Sequence, residues 1–590
     1  MSDPVVDTQF TTGTVITADW LNGVNDFVND PNATKIPYTN PGTGGVSRTQ
    51  SNKNLERISV KDFGATGNGT TDDRAAIQAA FNYVNSLGGG TLYFPAGTYR
   101  ITGYIGTTFW DAASMADNMN LHFDDATVFL DPNYSIPSGT WFWHAISIEG
   151  NNVSVTGNLR LRSNQTLNWA GDLPAQRTNY LQGVILGGKG YGHLPLAIGQ
   201  EREGVLMEGI DIKNFHLPLI AEQASRVKIL NCKVSDDTDT GILIENCLSD
   251  IEVAHNTLVN SGDDHFFARH YATTPWATAG FYIGNIRFHH NYCENTFAKF
   301  GGFGGYSDVI CSDNYGRNCW FAGFNVEGDT TWVNNNKRLK FHGNILREAG
   351  RAWDPSHPVA TYRLPVTDTT VTCGILITGV NRAEFIEITD NNISNPQSHA
   401  ISVINAFEVR VTGNTGTAGI VTKAAVNYPT TGSSMYIADT NRIGISGNVF
   451  GPDQGGTAWP NVYEVNGDVL TERVRIISNP NEEFTTALFV EPTATVRGRI
   501  SYEGWAIAAL VPWVPGTIPV DGATPTFTCN GARVGDMVQV SYSQILAGLT
   551  FTSYVNANDV VALRIENRTG GGVALASGNL KFKCTRPGQI

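Results

Sequence analysis

Asp239, Asp263 and Asp264 are the residues of this chain whose type and spacing best suit acid–base chemistry. They lie in VSDDTDTGILIENCLSDIEVAHNTLVNSGDDHFFARH, residues 234–270, with Asp239 24 residues before Asp263 and 25 before Asp264. If the chain winds in coils of that length, the interval returns the backbone to the same face one step on, roughly 5 Å away. Carboxyl groups held so close cannot all ionise freely, and one keeps its proton where another has lost it. An acid beside a base is what hydrolysis of a glycosidic bond requires. Aspartates at such corners also shape turns and accept backbone N–H bonds, with no chemistry implied.

His265, Arg269 and His270 follow at once. Neighbouring strand residues alternate faces, so one or two of these are expected to flank the same groove as substrate contacts or a proton shuttle. Farther on, Glu327, Asp329, Glu348, Arg351, Trp353, Asp354 and His357 mix carboxylates with Arg and Trp, and Tyr306, Trp320 and Trp332 add aromatic faces. Aromatic rings bind the apolar faces of sugars and guanidinium groups read carboxylates or hydroxyls, so this second set is expected to extend the binding surface. GTGG (42–45) and GGGT (88–91) lack the Lys-Ser/Thr of a phosphate loop, and Gly-x-Ser-x-Gly is absent. The eight cysteines show neither CxxC nor the paired Cys/His spacing of a zinc site, so no metal and no cofactor is expected. Buried thiols in stacked strands are expected instead, with Cys529 and Cys584 the one pair placed to bridge.

The elements that must position these groups show in a recurring hexad, apolar at its first and third positions and Asn at its sixth. It reads VSVTGN (153–158), IEVAHN (251–256), IRFHHN (286–291), VICSDN (309–314), LKFHGN (339–344), IEITDN (386–391), VRVTGN (409–414) and IGISGN (443–448), with a weaker VRIISN (474–479). After Asn256 the Asn positions advance by 35, 23, 30, 47, 23 and 34 residues, one β-helix coil with insertions. Alternate apolar residues point inward, while Asn accepts the left-handed backbone of a tight turn and bonds its copy in the next coil. Neither the four-strand unit of a propeller nor the Leu ladder of a leucine-rich repeat is present.

Three segments are expected. Residues 1–55 are polar apart from a helix over Ala18–Val28 whose Trp20, Leu21, Val24, Phe27 and Val28 share a face, and they read as an attachment segment. Residues 56–480 form the β-helix. Its start, Ile58–Thr102, places a helix over 74–86 capped by Asp72 or Asp73, with Ala76, Ile77, Ala80, Phe81 and Val84 as buried stripe, Gly88–Gly90 as stop and Thr91–Phe94 as strand. A helix across the first coil hides strand edges that would otherwise recruit other chains. Residues 485–590 carry longer alternating strands such as VQVSYSQI and VVALRIEN, the pattern of a β-sandwich.

Ile58–Thr102 resembles the N-terminal cap of the pectate-lyase superfamily of β-helices, in the version found in phage tailspikes. That resemblance implies an all-β, right-handed parallel β-helix with an N-terminal capping helix and a C-terminal β-sandwich. It also implies a homotrimer, a bacterial surface polysaccharide (capsule, exopolysaccharide or O-antigen) as partner, and attachment to a phage tail or baseplate through the N-terminus. The protein would then belong to the virion after synthesis in the host cytoplasm. Thr238-Asp239 and Gly262-Asp263-Asp264 resemble the Asn-Thr-Asp and Gly-Asp-Asp motifs of polygalacturonases, with Asp237 in the place of the Asn. By that resemblance Asp263 is the acid, and Asp239 with Asp264 activates water for an inverting displacement. The family's Gly-His-Gly has no counterpart one coil later, where Gly301–Gly305 stands, and its Arg-Ile-Lys is absent, so polygalacturonic acid is not the expected substrate. The stretch from Pro515 to Cys584 resembles C-terminal domains of phage tail proteins, which close trimers.

Composition bounds the alternatives. With 41% apolar residues, 63 Gly and only 16% charged residues, the chain suits short strands and tight turns rather than disorder or long amphipathic helices. A net charge of -14 lacks the basic face a nucleic-acid binder needs. No apolar run reaches membrane-spanning length, and MSDPVVDTQFTTG has neither the basic nor the apolar region of a signal peptide. Three functions stay open: a depolymerase using carboxylate-catalysed hydrolysis, a lyase using β-elimination on a uronic-acid polymer, and a spike that binds glycan without cutting it. A free-living pectin-degrading enzyme ranks last, for want of a signal peptide.

Overall fold

Parallel strands can cover both faces of a sheet only if the chain crosses over after each strand, and here it does so by winding. Among the described residues, three parallel sheets of 13, 15 and 13 strands take one strand each from successive coils, so sequence neighbours lie in different sheets and every third strand pairs. The computed structural model describes residues 18–28, 37–39, 42–54, 56–107, 115–131, 143–163, 181–188, 196–328, 333, 336–349, 373–378, 383–396, 399–417, 433–438, 440–451, 461–466, 472–477, 489–490, 501–503, 507–529 and 532–585. No helix among them is long and apolar enough to cross a membrane.

The hexads all fall in the 15-stranded sheet. Their first and third residues, such as Ile251 and Val253, Ile286 and Phe288, Leu339 and Phe341, Ile386 and Ile388, are at most 1% exposed and stack coil on coil as the core. The hexad asparagines form a buried ladder. Asn256, Asn291, Asn314, Asn344, Asn391 and Asn414 each donate both backbone N–H and side-chain Nδ2 to Oδ1 of the next, at 2.8–3.1 Å, ending on Asn448. One part of the expectation is corrected: the left-handed residue is the one before each Asn, as at His255, His290, Asp313, Gly343, Asp390 and Gly413, because the Asn must point inward to reach its neighbour. Asn158 stays outside the ladder, exposed.

The capping helix spans Arg74–Ser86 and buries Ile77, Ala80, Phe81 and Val84 against the first coil. Asp73 stands at its N-cap without capping it; its carboxylate accepts from Thr66 N at 2.7 Å and Gly67 N at 3.0 Å, pinning the preceding loop. Asp72 takes Arg74 N at 3.2 Å. Ala18–Val28 is helical, with Leu21 exposed. Parallel pairing runs beyond 480, to Ser501–Glu503, and antiparallel pairing begins at Ile507–Trp513. From there two three-stranded antiparallel sheets face each other as a sandwich, together with one short two-stranded pair. All eight cysteines are buried thiols; Cys529 and Cys584 face each other at 3.9 Å, unbridged.

The ladder sets a stability expectation. Asn314→Ala orphans the Asn291 backbone N–H and one of its two Nδ2 hydrogens in the core, at about 1–3 kcal/mol per unmet group, whereas Asn392→Ala, at an exposed position, should stay within about 0.5 kcal/mol. Denaturant unfolding of the two variants checks this, and equal stabilities would contradict the ladder's role.

Candidate functional site

Four consecutive coils turn the same corner with four residues each. Lys233–Asp237 leads through 238–241 to Ile242–Glu245, Thr257–Ser261 through 262–265 to Phe266–Arg269, Tyr292–Thr296 through 297–300 to Gly301–Gly304, and Tyr315–Cys319 through 320–323 to Phe324–Glu327. Backbone bonds hold the corners in register: Asp263 N to Asp239 O at 3.0 Å, Ala298 N to Asp263 O at 3.1 Å, Phe321 N to Ala298 O at 2.9 Å. Second positions therefore stack as Asp239, Asp263, Ala298, Phe321, and third positions as Thr240, Asp264, Lys299, Ala322. Between them lies a groove of about 430 Å³ lined by Asp239, Asp263, Asp264, Arg269, Lys299 and Glu327 and walled by Phe267, Phe297, Trp320 and Phe321. Glycine is required at 302, where a Cβ would stand 2.5 Å from the Phe267 ring. That close approach lays Phe267 along the groove, 4.8 Å from Lys299 Nζ.

Lys299 organises the charge. Its Nζ lies 3.2 Å from Asp264 Oδ2 and donates to Glu327 Oε1, and its backbone N donates to Asp264 Oδ1 at 3.0 Å. Burial disfavours the ammonium, but Asp264 and Glu327 outweigh it and hold Lys299 above its ordinary range, so it stays protonated. Asp264 is 4% exposed, and burial pushes its pKa up to about 7 against the pull of Lys299, with Asp263 and Glu327 adding to the rise. Asp239 is half-buried with Oδ2 3.1 Å from His216 Nε2, while His216 Nδ1 meets Thr238 Oγ1 at 3.0 Å. Behind both lies Asp237, fully buried and held well above the carboxylate range by burial, with Ser261 Oγ at 2.6 Å. Arg269 reaches Glu245 at 3.2 Å, which in turn stacks on buried Glu222 in the previous coil. Burial raises both glutamates, Glu245 adds to the rise at Glu222, and Arg269 opposes it at both.

The structure thus brings Asp239, Asp263, Asp264, Arg269, Trp320 and Glu327 to one groove, Trp320 presenting only an edge at 8% exposure. Three expected contacts are corrected. His265 points into the core, with Nε2 3.0 Å from Glu294 O, its ring over Phe300, and burial driving its pKa down to about 3. His270 is buried between Cys247 O and Thr274 Oγ1, and Tyr306 is fully buried with its hydroxyl donating to Cys247 O at 2.9 Å. All three fill the interior because their corner and strand positions face the core. Glu348 follows Ile345–Arg347, which pairs with Tyr315–Cys319 one coil on in the sheet leading into these corners; it lies 3.5 Å from Arg317 and does not line the groove. Asp329, Trp332, Arg351, Trp353, Asp354 and His357 lie outside the described residues. Lys299 and His216 were missed by motif, yet the period marks them: His216 is 23 residues before Asp239 and Lys299 35 after Asp264, each one coil.

With this geometry in place, comparisons with known proteins define the class. Residues 57–155 match the model of the family described as rhamnogalacturonase A/epimerase, pectate lyase-like. A mannuronan C5-epimerase, AlgE3 of Azotobacter vinelandii, is 60% identical over 46 residues, 8% of this chain and 2% of that protein. Alginate lyase 7 of the same organism is 59% identical over 44 residues, 8% of this chain and 5% of that one. The chain thus spans only a small part of these relatives. Over nearly the whole chain, the fold matches a mutant tailspike protein of E. coli bacteriophage HK620 solved in complex with a pentasaccharide, with TM-score 0.56 and 15% identity, covering 95% of this chain and 100% of that one. The fold is therefore a parallel β-helix like that of the tailspike, and residues 57–155 are similar to the pectate-lyase-like family. The family model ends at residue 155, before the first groove residue, Asp239.

Asp264 gives a pH signature. Its folded pKa lies above the unfolded value of about 3.9, so the folded state holds the extra proton and stability falls as pH rises through the window from about 4 to about 7. Lys299 titrates far above that window. The stability of the wild type relative to Asp264→Asn should therefore decline from pH 4 to 7 and level off above, measured by chemical denaturation. A difference independent of pH would contradict the raised pKa.

Proposed function

We propose that the protein is a phage spike whose groove binds and cleaves a bacterial surface polysaccharide. The observation that carries this is the convergence of Asp264 and Glu327 on protonated Lys299, with Asp239 and Asp263 lining the same aromatic-walled groove on the flank of the β-helix. The polysaccharide itself is suggested by the pentasaccharide held by the structurally similar tailspike.

For hydrolysis, the groove offers an acid and a base at neutral pH. Asp264, with its pKa near 7, keeps a proton to give to the leaving oxygen, so the acid role moves to it from Asp263. Asp239, oriented by His216, and Asp263 are half-buried and open to water, suited to activating it for attack. Lys299 is a fixed cation beside the acid, steadying the carboxylate left after proton transfer.

A second reading, β-elimination on a uronic-acid polymer, is favoured by the relatives' names: a family of pectate-lyase-like epimerases, a mannuronan C5-epimerase and an alginate lyase. Lys299 and Arg269 would then face the uronate carboxylate, and a groove base, with Asp239 the one best placed, would take the C5 proton as the C4–O bond breaks. The two routes give different products. Incubation with a panel of capsules, exopolysaccharides and O-antigens, followed by mass analysis, should yield fragments that gain water on hydrolysis; elimination fragments lack that water and absorb in the ultraviolet through their new double bond. Asp263→Asn and Asp264→Asn should each lower the rate about 10²- to 10⁴-fold while glycan binding survives, and hydrolysis by the wild type should fall as pH rises through about 7. Binding without fragments from any glycan would leave a purely adhesive spike.

The same reading includes a homotrimer attached to the phage tail through its N-terminal segment. Val514, Val534, Met537 and Ile545 of the C-terminal sandwich are 80%, 68%, 62% and 87% exposed, an apolar set suited to burial against other copies. Light scattering should return three times the chain mass; a monomer at micromolar concentration would overturn this part.

A further inference from the structure

The outer face of the 15-stranded sheet carries a second side-chain cluster, apart from the groove. In IEVAHN and IRFHHN the fifth hexad positions are His255 and His290, and the fourth position of the latter is His289. Ala254 pairs with His289 across the sheet, so His255 lies directly under His290 in adjacent coils. The His255 and His290 rings stack at 5.1 Å, the His289 ring stands edge-on to His290 at 5.2 Å, and the three residues' ligand nitrogens lie within 4.8 Å of one another. His289 Nδ1 and His290 Nδ1 are 2.9 Å apart.

We propose that His255, His289 and His290 bind a divalent transition metal of the zinc class. Zinc takes three imidazoles and one water in a tetrahedron with Zn–N of about 2.0–2.1 Å, which sets ligand nitrogens about 3.3 Å apart. Small side-chain rotations bring the cluster to that spacing. Behind it, His289 Nε2 faces Glu252 Oε1 at 3.3 Å, the carboxylate–imidazole pairing that fixes the orientation of a metal-bound histidine and leaves Nδ1 for the metal. Lys228 and Arg287 sit on the other oxygen of Glu252, at 3.7 and 3.9 Å.

The backbone adds an independent sign. From Gly157 to Gly447 the corner residue of this column has positive φ in each coil, and it is Asn231, Asp313, Gly343, Asp390 and Gly413 in the neighbouring coils; among the described residues an imidazole stands there only at 255 and 290, in succession. The coil of His255 goes on to Asp264 and the coil of His290 to Lys299. A metal here would staple together the two coils whose contact builds the groove.

The test uses the untagged full chain, stripped with a chelator and titrated with zinc chloride alone by calorimetry and with Co²⁺ by visible absorption. One metal per chain, a tetrahedral Co²⁺ band and a raised melting temperature are expected. His255→Asn and His290→Asn keep a residue that tolerates positive φ, and His289→Ala needs no such tolerance; each should bind at least tenfold more weakly while the metal-free melting temperature stays near wild type. His342→Asn, on the same sheet two coils on, should bind as wild type does. Absence of zinc binding by the wild type, or undiminished binding by the His255→Asn/His290→Asn double variant, overturns the proposal.

Discussion

Every feature of this molecule depends on the in-register stacking of one coil on the next. A parallel strand leaves both edges hungry for backbone bonds, and only a copy in matching register above and below satisfies them. The Asn256-to-Asn448 ladder enforces that register at one corner, because each buried amide meets its donors and acceptor only if the next amide lies directly above it. Inside, Ile251 against Ile286 and Phe94 against Phe123 repeat the same demand sterically. Additional residues must therefore leave the barrel at corners, which is why the intervals lengthen from 23 to 35 or 47 without disturbing the ladder.

Stacking also concentrates charge. Because each coil offers the same corner to solvent, carboxylates a coil apart accumulate in a column, and Asp239 over Asp263 with Asp264 beside them is the outcome. Such a column is tolerable only with a counter-charge. Lys299, 8% exposed, supplies it from the next coil, bonded on both sides by Asp264 and Glu327, since a buried ammonium with a single imperfect partner would be strongly destabilising. Removing either partner exposes the other to that cost, so the groove's polarity and its stability are one property.

The fold was legible in the sequence because its signals repeat. The hexads mark the strands of one sheet, and Asp72-Asp73 followed by the Ile77, Ala80, Phe81, Val84 stripe marks the capping helix. The strand past 480, Ser501–Glu503, carried no hexad and escaped. For the groove, acidic corners are legible because Asp is rare in the interior. Which way a residue faces is not. His265 differs from Asp264 by one position and points into the core instead of the groove, and Tyr306 carries the composition of a sugar platform in a place with no access. Lys299 and the three-histidine cluster have ligands one coil apart, a spacing that local motifs never include and that only the coil period reveals.

The role of the groove depends on where sugar sits. A crystal structure of the Asp264→Asn variant with an oligosaccharide from a polysaccharide the protein binds tests that most directly. Sugar rings are expected along the groove from Asp239 to Glu327, packed against Phe267 and Phe321 with a glycosidic oxygen next to residue 264 and polar contacts to Lys299 and Arg269. An oligosaccharide bound on another face of the β-helix, with the groove empty, would contradict it.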